Sequence, residues 1–218
     1  MKGKLMQLLA LSSLFATVGA LADDFALGAK AGTLGLGLEG TFRLNDRFNV
    51  RGGINGYSRR INETESDIPY HADVNLKSFG LFFDVHPFAG VFRVTAGFIN
   101  NGNKLHLDAT PTSNVNIGGA SHTPAEIGTL TGDIKFKSGA PYLGIGWGNA
   151  TGPGSPLTFT AEIGAMFQGK ANVSLNSTGG TQSNNPTLQS QLRQEEQDVS
   201  NDIGKIYPVI SLGLAYRF

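Results

Sequence analysis

Hydrophobic side chains alternate with small or polar side chains along most of the chain. In residues 34–44, one set of alternate positions holds leucine and phenylalanine, whereas the other holds mainly glycine, glutamate, threonine and arginine. This period of two is typical of a β-strand with one apolar face and one small or polar face. The same pattern predicts eight strands, at residues 25–31, 34–44, 48–60, 74–86, 91–101, 134–148, 157–169 and 206–218.

The apolar face could line the core of a soluble sandwich or face lipid around a barrel, and two features favour the barrel. The opposite face is rich in glycine, as the crowded interior of a narrow barrel requires. The connections also alternate between short turns and long polar segments, the long ones lying at 62–73, 101–133 and 170–205. Short turns at one end and long loops at the other are typical of outer-membrane proteins. We therefore predict an all-β fold, an eight-stranded antiparallel transmembrane β-barrel with long extracellular loops. Leu36, Phe83, Val94, Ile163 and Leu212 are predicted to face lipid.

Both ends of the chain indicate export to the outer membrane of a Gram-negative cell. Residues 1–22 combine Lys2 and Lys4, a short apolar run and an Ala20-Leu21-Ala22 end, so they are predicted to be a signal peptide. This leaves residues 23–218 as the barrel domain. The last strand ends in Phe218 and has apolar or aromatic residues at every second position before it. It resembles the β-signal of bacterial outer-membrane barrels, which implies that Tyr216 and Phe218 are read by the barrel-assembly machinery.

Two hairpins fix the expected register. Gly32-Thr33 is predicted to form a two-residue turn of type II′, which needs glycine at its first position. Across this turn and the turn at 87–90, the expected cross-strand pairs are Ala31 with Leu34, Leu27 with Leu38, Asp84 with Arg93, Phe83 with Val94, and Phe79 with Phe98.

The inward faces carry an unusual number of charged and polar residues for so narrow a barrel. They are Lys30, Glu39, Arg43, Arg51, Asn55, Tyr57, Arg59, Asp84, Arg93, Glu162, Gln168 and Arg217. Unpaired charges in a narrow lumen are costly to desolvate, so Asp84–Arg93 and Glu39–Arg51 are predicted to be structural ion pairs. The alternative is that Glu39, Arg51, Asp84, Arg93 and Glu162 form a selectivity constriction or gate.

The last long connection contains a predicted helix. It begins at Asn185 and Pro186, places Leu188 and Leu192 on one face, and ends at Gly204. Four acidic residues lie on its other face: Glu195, Glu196, Asp198 and Asp202. The helix is interpreted as a solvated amphipathic segment packed on the barrel mouth, or else as a lid or an acidic vestibule that concentrates cations.

The amino-acid composition excludes several other classes of function. The chain has no cysteine, which excludes disulfides and thiol chemistry, and its 17 basic residues balance its 17 acidic ones. A neutral chain has no electrostatic footprint for nucleic acid. Three of the four histidines are expected in surface loops, and no serine can be paired with one, so we expect no enzyme activity, no metal and no cofactor.

The segments 140–147 and 159–165, with sequences APYLGIGW and FTAEIGA, resemble CarO-type outer-membrane proteins. Residues 28–35, with sequence GAKAGTLG, are also similar to the first hairpin of related small barrels. The resemblance covers most of the strands and is absent from the long loops. It implies an eight-stranded barrel and, for some members of the family, a channel for basic amino acids such as ornithine.

Two classes of function remain open from the sequence. The first, slightly favoured by the glycine-rich inward faces, is a porin-like, narrow transport channel for small polar solutes such as amino acids. The second is a closed structural or surface-interaction barrel, supported by the small strand number and by charges able to cross-link the interior. A lipid-modifying barrel enzyme is a minor alternative. In each case the expected partner is outer-membrane lipid, and a monomer is expected.

Overall fold

The described part of the chain folds into thirteen strands and two α-helices. The computed structural model describes residues 22–65 and 68–218, and residues 1–21 of the predicted signal peptide lie outside this range. The strands are β1 (Phe25–Gly32), β2 (Gly35–Asn45), β3 (Phe48–Glu65), β4 (Ile68–Val85), β5 (Phe92–Asn101), β6 (Lys104–Ala109), β7 (Val115–Ile117), β8 (Ala120–His122), β9 (Gly128–Lys135), β10 (Gly139–Trp147), β11 (Leu157–Met166), β12 (Asn172–Gly179) and β13 (Tyr207–Arg217). The helices are α1 (Pro124–Ile127) and α2 (Pro186–Asp202), and a single 3₁₀ turn covers Ala22–Asp24. Neither α-helix is both long and hydrophobic enough to cross a membrane, among the residues described.

Eight of the strands close into an antiparallel barrel, as predicted. They follow one another around the wall in the order β1, β2, β3, β4, β5, β10, β11 and β13, and β13 pairs with β1. Short turns join β2 to β3 and β4 to β5 at one end, where Phe25 and Phe218 also lie. In outer-membrane barrels that end is periplasmic and the opposite end is extracellular.

The faces follow the predicted alternation. Leu36, Phe83, Val94, Ile163 and Leu212 all point outward, each with 42–67% of its surface exposed. Together with the other outward residues they form a continuous apolar belt around the barrel. At the periplasmic edge the belt is aromatic: Phe25 stacks on Phe218, and Phe92 contacts Trp147 edge to face. Aromatic residues concentrate at the interfaces of membrane barrels, so this edge has the composition expected of a lipid boundary.

Both predicted hairpin registers are wrong by two residues. Ala31 pairs with Leu36 rather than Leu34, because the first turn consists of Thr33 and Leu34. The positive φ of 97° falls on Gly35, after the turn, and Leu34 folds inward instead of facing lipid. At the second hairpin Asp84 pairs with Thr95 rather than Arg93, Phe83 pairs with Ala96, and Phe79 pairs with Asn100.

The three long connections on the extracellular side carry secondary structure of their own. β3 and β4 continue past the barrel as one long hairpin that replaces the predicted loop at 62–73. β6, β9 and β12 extend the sheet sideways from the outer half of β4, and residues 134–135 belong to β9 rather than to the barrel strand β10. We call the parts beyond the barrel the outer unit, comprising residues 57–65, 68–76, 104–135 and 172–202.

The outer unit has its own hydrophobic core. α2 lies on one face of the added sheet, and Leu188 and Leu192 pack with Ile117 and Ile127, all four at most 4% exposed. Asn185 caps the helix by accepting a hydrogen bond from the backbone of Thr187. The predicted amphipathic helix is therefore confirmed, with Ile203 as its C-cap.

Candidate functional site: the charged layer in the lumen

The centre of the barrel is crossed by one arginine. Arg51, on β3, is 3% exposed and donates hydrogen bonds to three carboxylates on three other strands. Its Nη1 bonds Glu39 Oε1 at 2.8 Å, its Nε bonds Asp84 Oδ2 at 2.5 Å, and its Nη2 bonds Glu162 Oε2 at 2.7 Å. Because these partners lie on β2, β4 and β11, the Arg51 side chain links nearly opposite walls.

Two further cations complete the charge balance of this layer. Lys30 Nζ lies 2.6 Å from Glu39 Oε2, and Arg93 Nη2 lies 2.6 Å from Glu162 Oε2. Arg93 also donates to the carbonyl of Gly148 at 2.7 Å. The layer thus contains three cations and three carboxylates, which satisfies the requirement that buried charges be paired and hydrogen-bonded.

Neutral side chains fill further hydrogen-bonding positions of the layer, although the buried Nε of Arg93 has no hydrogen-bond partner. The hydroxyl of Tyr142 donates to Glu162 Oε1 at 2.6 Å, and the hydroxyl of Thr95 donates to Asp84 Oδ1 at 2.7 Å. The Phe82 ring lies beside the layer, with the guanidinium carbon of Arg51 5.2 Å from its centroid. Such contacts between a cation and an aromatic face are favourable and help to hold the arginine in place.

Apolar packing closes the lumen on the extracellular side of this layer. Leu34 and Val209 pack with Phe82, Ile99 and Tyr142, and each of these side chains is at most 6% exposed. The inward glycines border the largest of them. A Cβ added at Gly80 or Gly97 would collide with the Phe82 ring, and one at Gly144 or Gly164 would collide with the Tyr142 hydroxyl.

The connection between β10 and β11 closes the periplasmic side. It folds into the barrel so that Thr151 is fully buried and Ala150 packs against Ala26 and Ala215. Arg217 donates to the carbonyl of Gly152 at 2.9 Å and holds this connection in place.

Little space is left between the charged layer, the apolar packing above it and the β10–β11 connection below it. The cavities that adjoin the charged layer measure about 20 Å³ on the periplasmic side and about 10 Å³ on the extracellular side. A cavity of roughly 10–15 Å³ holds a single water molecule. The described residues therefore leave no continuous passage for a solute in this conformation.

The five predicted lumen candidates, Glu39, Arg51, Asp84, Arg93 and Glu162, all lie in the charged layer. The Glu39–Arg51 ion pair is present, whereas Asp84 and Arg93 are only loosely paired, with 3.9 Å between Arg93 Nε and Asp84 Oδ1. The positions of Tyr142 and Phe82 were not anticipated, although both fall on the inward parity of their strands.

The acidic residues of α2 do not form one cluster. Glu195 accepts a hydrogen bond from the backbone of Gly118, and Glu196 accepts one from the backbone of Leu175 at 2.7 Å. These two carboxylates therefore attach the helix to the outer sheet. Asp198 and Asp202 are exposed. The vestibule that attracts cations stays a prediction, and two exposed carboxylates rather than four would form it.

The histidines are held by polar side chains. His86 lies 3.1 Å from the Asn49 amide, and His122 lies 2.8 Å from the Gln191 side chain. His71 contacts Asn62, and His106 contacts Asp108 and Asp133. Among the described residues, no group of three or more potential metal ligands is arranged to hold an ion.

Tyr216 and Phe218, the predicted assembly signal, lie on the outer surface at the periplasmic edge, with ring centroids 5.4 Å apart. The closed eight-stranded wall, the apolar belt and the aromatic edge together define an integral outer-membrane barrel.

Comparison with known structures gives the same fold. The chain is similar to CarO2 of Acinetobacter baumannii, with 24% identity, a TM-score of 0.63, and coverage of 89% of this chain and 98% of that one. It is also similar to CarO of the same organism, with 22% identity, a TM-score of 0.62, and coverage of 89% and 97%. No family model and no curated protein sequence matches the chain. The expected resemblance to CarO-type small outer-membrane barrels is thus confirmed at the level of the fold.

Proposed function

We propose that this protein is a closed outer-membrane barrel that anchors the outer unit and presents it at the cell surface. The observation that carries the proposal is the filled lumen. The inward glycines, which had favoured a channel, receive the Phe82 and Tyr142 side chains rather than leaving space along the wall.

The outer unit supports the second half of the proposal. It extends the sheet by three strands, and α2 covers one face of that sheet with a buried apolar core. A barrel that served only as a membrane plug would not need a folded structure of this size beyond the lipid. The functional surface is therefore proposed to lie outside the membrane, with the barrel as its support.

Planar-bilayer recording on the purified protein tests this proposal against the channel. We expect no discrete conductance events from the unaltered protein. An Arg51→Ala, Phe82→Ala, Glu162→Ala variant removes one cation, one anion and the ring beside them, and should produce measurable conductance. The matched control is Phe83→Ala, since Phe83 is next to Phe82 but faces outward.

Discrete events from the unaltered protein, changed in size by Arg93→Ala or Glu39→Ala, would overturn the proposal in favour of a channel through the charged layer. If the triple variant does not fold, the recording on the unaltered protein still decides between the two. Solute uptake by cells with and without the protein provides an independent check, and we expect equal rates.

A further inference from the structure

A large groove lies on the outward face of the barrel, at the extracellular edge of the apolar belt. Its volume is about 970 Å³, and its apolar lining includes Leu36, Leu38, Ile54 and Phe79. These side chains are 46–67% exposed, so the groove opens toward the surroundings of the barrel rather than into the lumen. An exposed apolar concavity of this kind marks a site of interaction with lipid or protein.

Gly56 leaves part of the floor of the groove without a side chain. In the sheet Gly56 lies between Leu36 on β2 and Lys77 on β4. A Cβ added at Gly56 would meet only the carbonyl oxygen of Leu76, at 3.8 Å, and the residue has no positive φ. Neither backbone geometry nor packing within the chain therefore requires glycine here. The space that a side chain would fill is left open to a ligand.

Lys77 borders the groove on its extracellular side, and two further lysines lie beyond it on the added strands β6 and β9. Lys77 lies beside Gly56, and Lys104 on β6 is directly opposite Lys135 on β9. Like charges directly opposite each other on neighbouring strands are destabilising. All three lysines are exposed, and none of them forms an ion pair with a described residue.

The nearest acidic row of the same sheet cannot neutralise these lysines, because its members already have partners. Asp73 accepts from Arg60 at 2.7 Å, and Asp133 contacts His106 at 3.1 Å. The three lysines thus have no acidic partner among the described residues, and Lys77 lies at the edge of the apolar groove.

We infer that this surface binds a phosphorylated lipid of the outer leaflet, with its acyl chains in the groove and its phosphates on Lys77, Lys104 and Lys135. Clustered basic residues next to an apolar membrane surface bind anionic lipid headgroups. A second copy of the chain is a poorer occupant, because a two-fold interface brings the same patch of each copy together and would oppose lysine to lysine. The inference rests on the proposed outer-membrane location.

Native mass spectrometry of the protein, extracted from outer membranes in mild detergent, tests the inference. We expect one phosphorylated glycolipid to be retained per barrel. A triple variant with Lys77→Gln, Lys104→Gln and Lys135→Gln should reduce retention of the lipid roughly tenfold, since each lysine near a membrane surface contributes to anion binding. Gly56→Leu should reduce it similarly by filling the groove, because the added side chain meets no obstruction in the chain itself.

Two controls match these variants. Gly52→Leu places the same side chain on the same outward face, with only an ordinary contact to Leu81 at 3.5 Å, but outside the groove. A second triple variant, with Lys170→Gln, Arg193→Gln and Lys205→Gln, removes the same amount of positive charge from other exposed positions. Both controls should retain lipid like the unaltered protein.

Three outcomes would overturn the inference: equal effects of the Gly56 and Gly52 variants, equal retention of neutral and phosphorylated lipid in mixed vesicles, or a dimer that buries the groove. Failure of the unaltered protein to fractionate with the outer membrane, or to shift on gels between heated and unheated samples, would instead contradict the proposed function. The two failures are therefore distinguishable.

Discussion

Phe82 and Tyr142 occupy the lumen only because the strand positions around them lack side chains. Gly80 and Gly97 border the Phe82 ring, and Gly144 borders the Tyr142 hydroxyl. Each large inward residue is matched with small neighbours, as in the interdigitated packing of any protein core. At the scale of single residues, glycine at these inward positions is a packing requirement of a filled barrel.

Gly80→Ala tests this pairing. Because the added methyl group meets the Phe82 ring, we expect a loss of about 1–3 kcal/mol in the free energy of unfolding, as for other overpacked cores. In a Phe82→Leu background the same substitution should have a much smaller effect. Urea unfolding in lipid vesicles, followed by Trp147 fluorescence, measures both values. Gly52→Ala is the control, since its methyl group faces outward. Equal losses in the two backgrounds would show that the ring is not the obstacle.

At the scale of a strand, the face on which each side chain lies could be predicted from the sequence, whereas the register between neighbouring strands could not. Alternation assigns each residue to a face, and a slip of two residues leaves every side chain on the face it had. Both hairpin errors are slips of two: Ala31 pairs with Leu36 in place of Leu34, and Asp84 pairs with Thr95 in place of Arg93. The five candidates of the charged layer were correctly placed inside for the same reason.

Contacts between opposite walls of the barrel could not be predicted from the alternation of hydrophobic and polar residues. Arg51 meets Glu162 across 111 positions of sequence, and that contact depends on how the closed wall is staggered. The short strands β6, β9 and β12 were missed because their partners are far apart in the chain and their alternation covers few residues. Helix α2 was predicted because its period, its cap and its apolar face are all local.

Within the outer unit, His106 joins two neighbouring strands through charge. It lies on β6 and donates a hydrogen bond to the carboxylate of Asp133 on β9, which raises the pKa of His106 above its ordinary value of 6.5. Asp108 adds a smaller contribution in the same direction. Because the folded state binds the proton more tightly, this contact stabilises the outer unit fully below pH 6.5, and the contribution is lost as pH rises through the raised pKa.

An NMR titration of His106 should therefore give a midpoint above 6.5. Asp133→Asn should bring the midpoint down toward the ordinary value, because the main partner loses its charge. Asp108→Asn should produce a smaller decrease. A midpoint that does not respond to Asp133→Asn would mean that the two side chains do not interact in solution.

For the whole molecule, the two edges of the apolar belt differ in chemistry. Phe25, Phe92, Trp147 and Phe218 mark the periplasmic edge, whereas Lys77 lies at the extracellular edge. The two sides of the barrel therefore differ, with the aromatic edge and Phe218 on one side and the lysines and the outer unit on the other.

Leu212→Arg tests whether lipid surrounds this belt. Leu212 is 55% exposed in the middle part of β13, and an arginine facing lipid near the midplane lowers the free energy of unfolding by about 2–4 kcal/mol. Thr178→Arg, at an exposed position of the outer unit opposite the uncharged Thr129, should have no measurable effect. Unfolding in lipid vesicles provides the measurement. A negligible effect at Leu212 would place the apolar belt outside the membrane.

The pairing of β1 with β13 has a kinetic consequence. Ala26 lies opposite Arg217, so the last contact needed to close the wall joins residues at nearly opposite ends of the chain. Bringing such distant segments together carries a large loop-closure entropy, and proteins dominated by non-local pairings fold slowly. Until the final residues arrive, the nascent sheet has two open edges with unpaired backbone groups, which are templates for aggregation. Closure is thus the slow, late step, and an unfinished chain must be kept apart from its neighbours until β13 reaches β1.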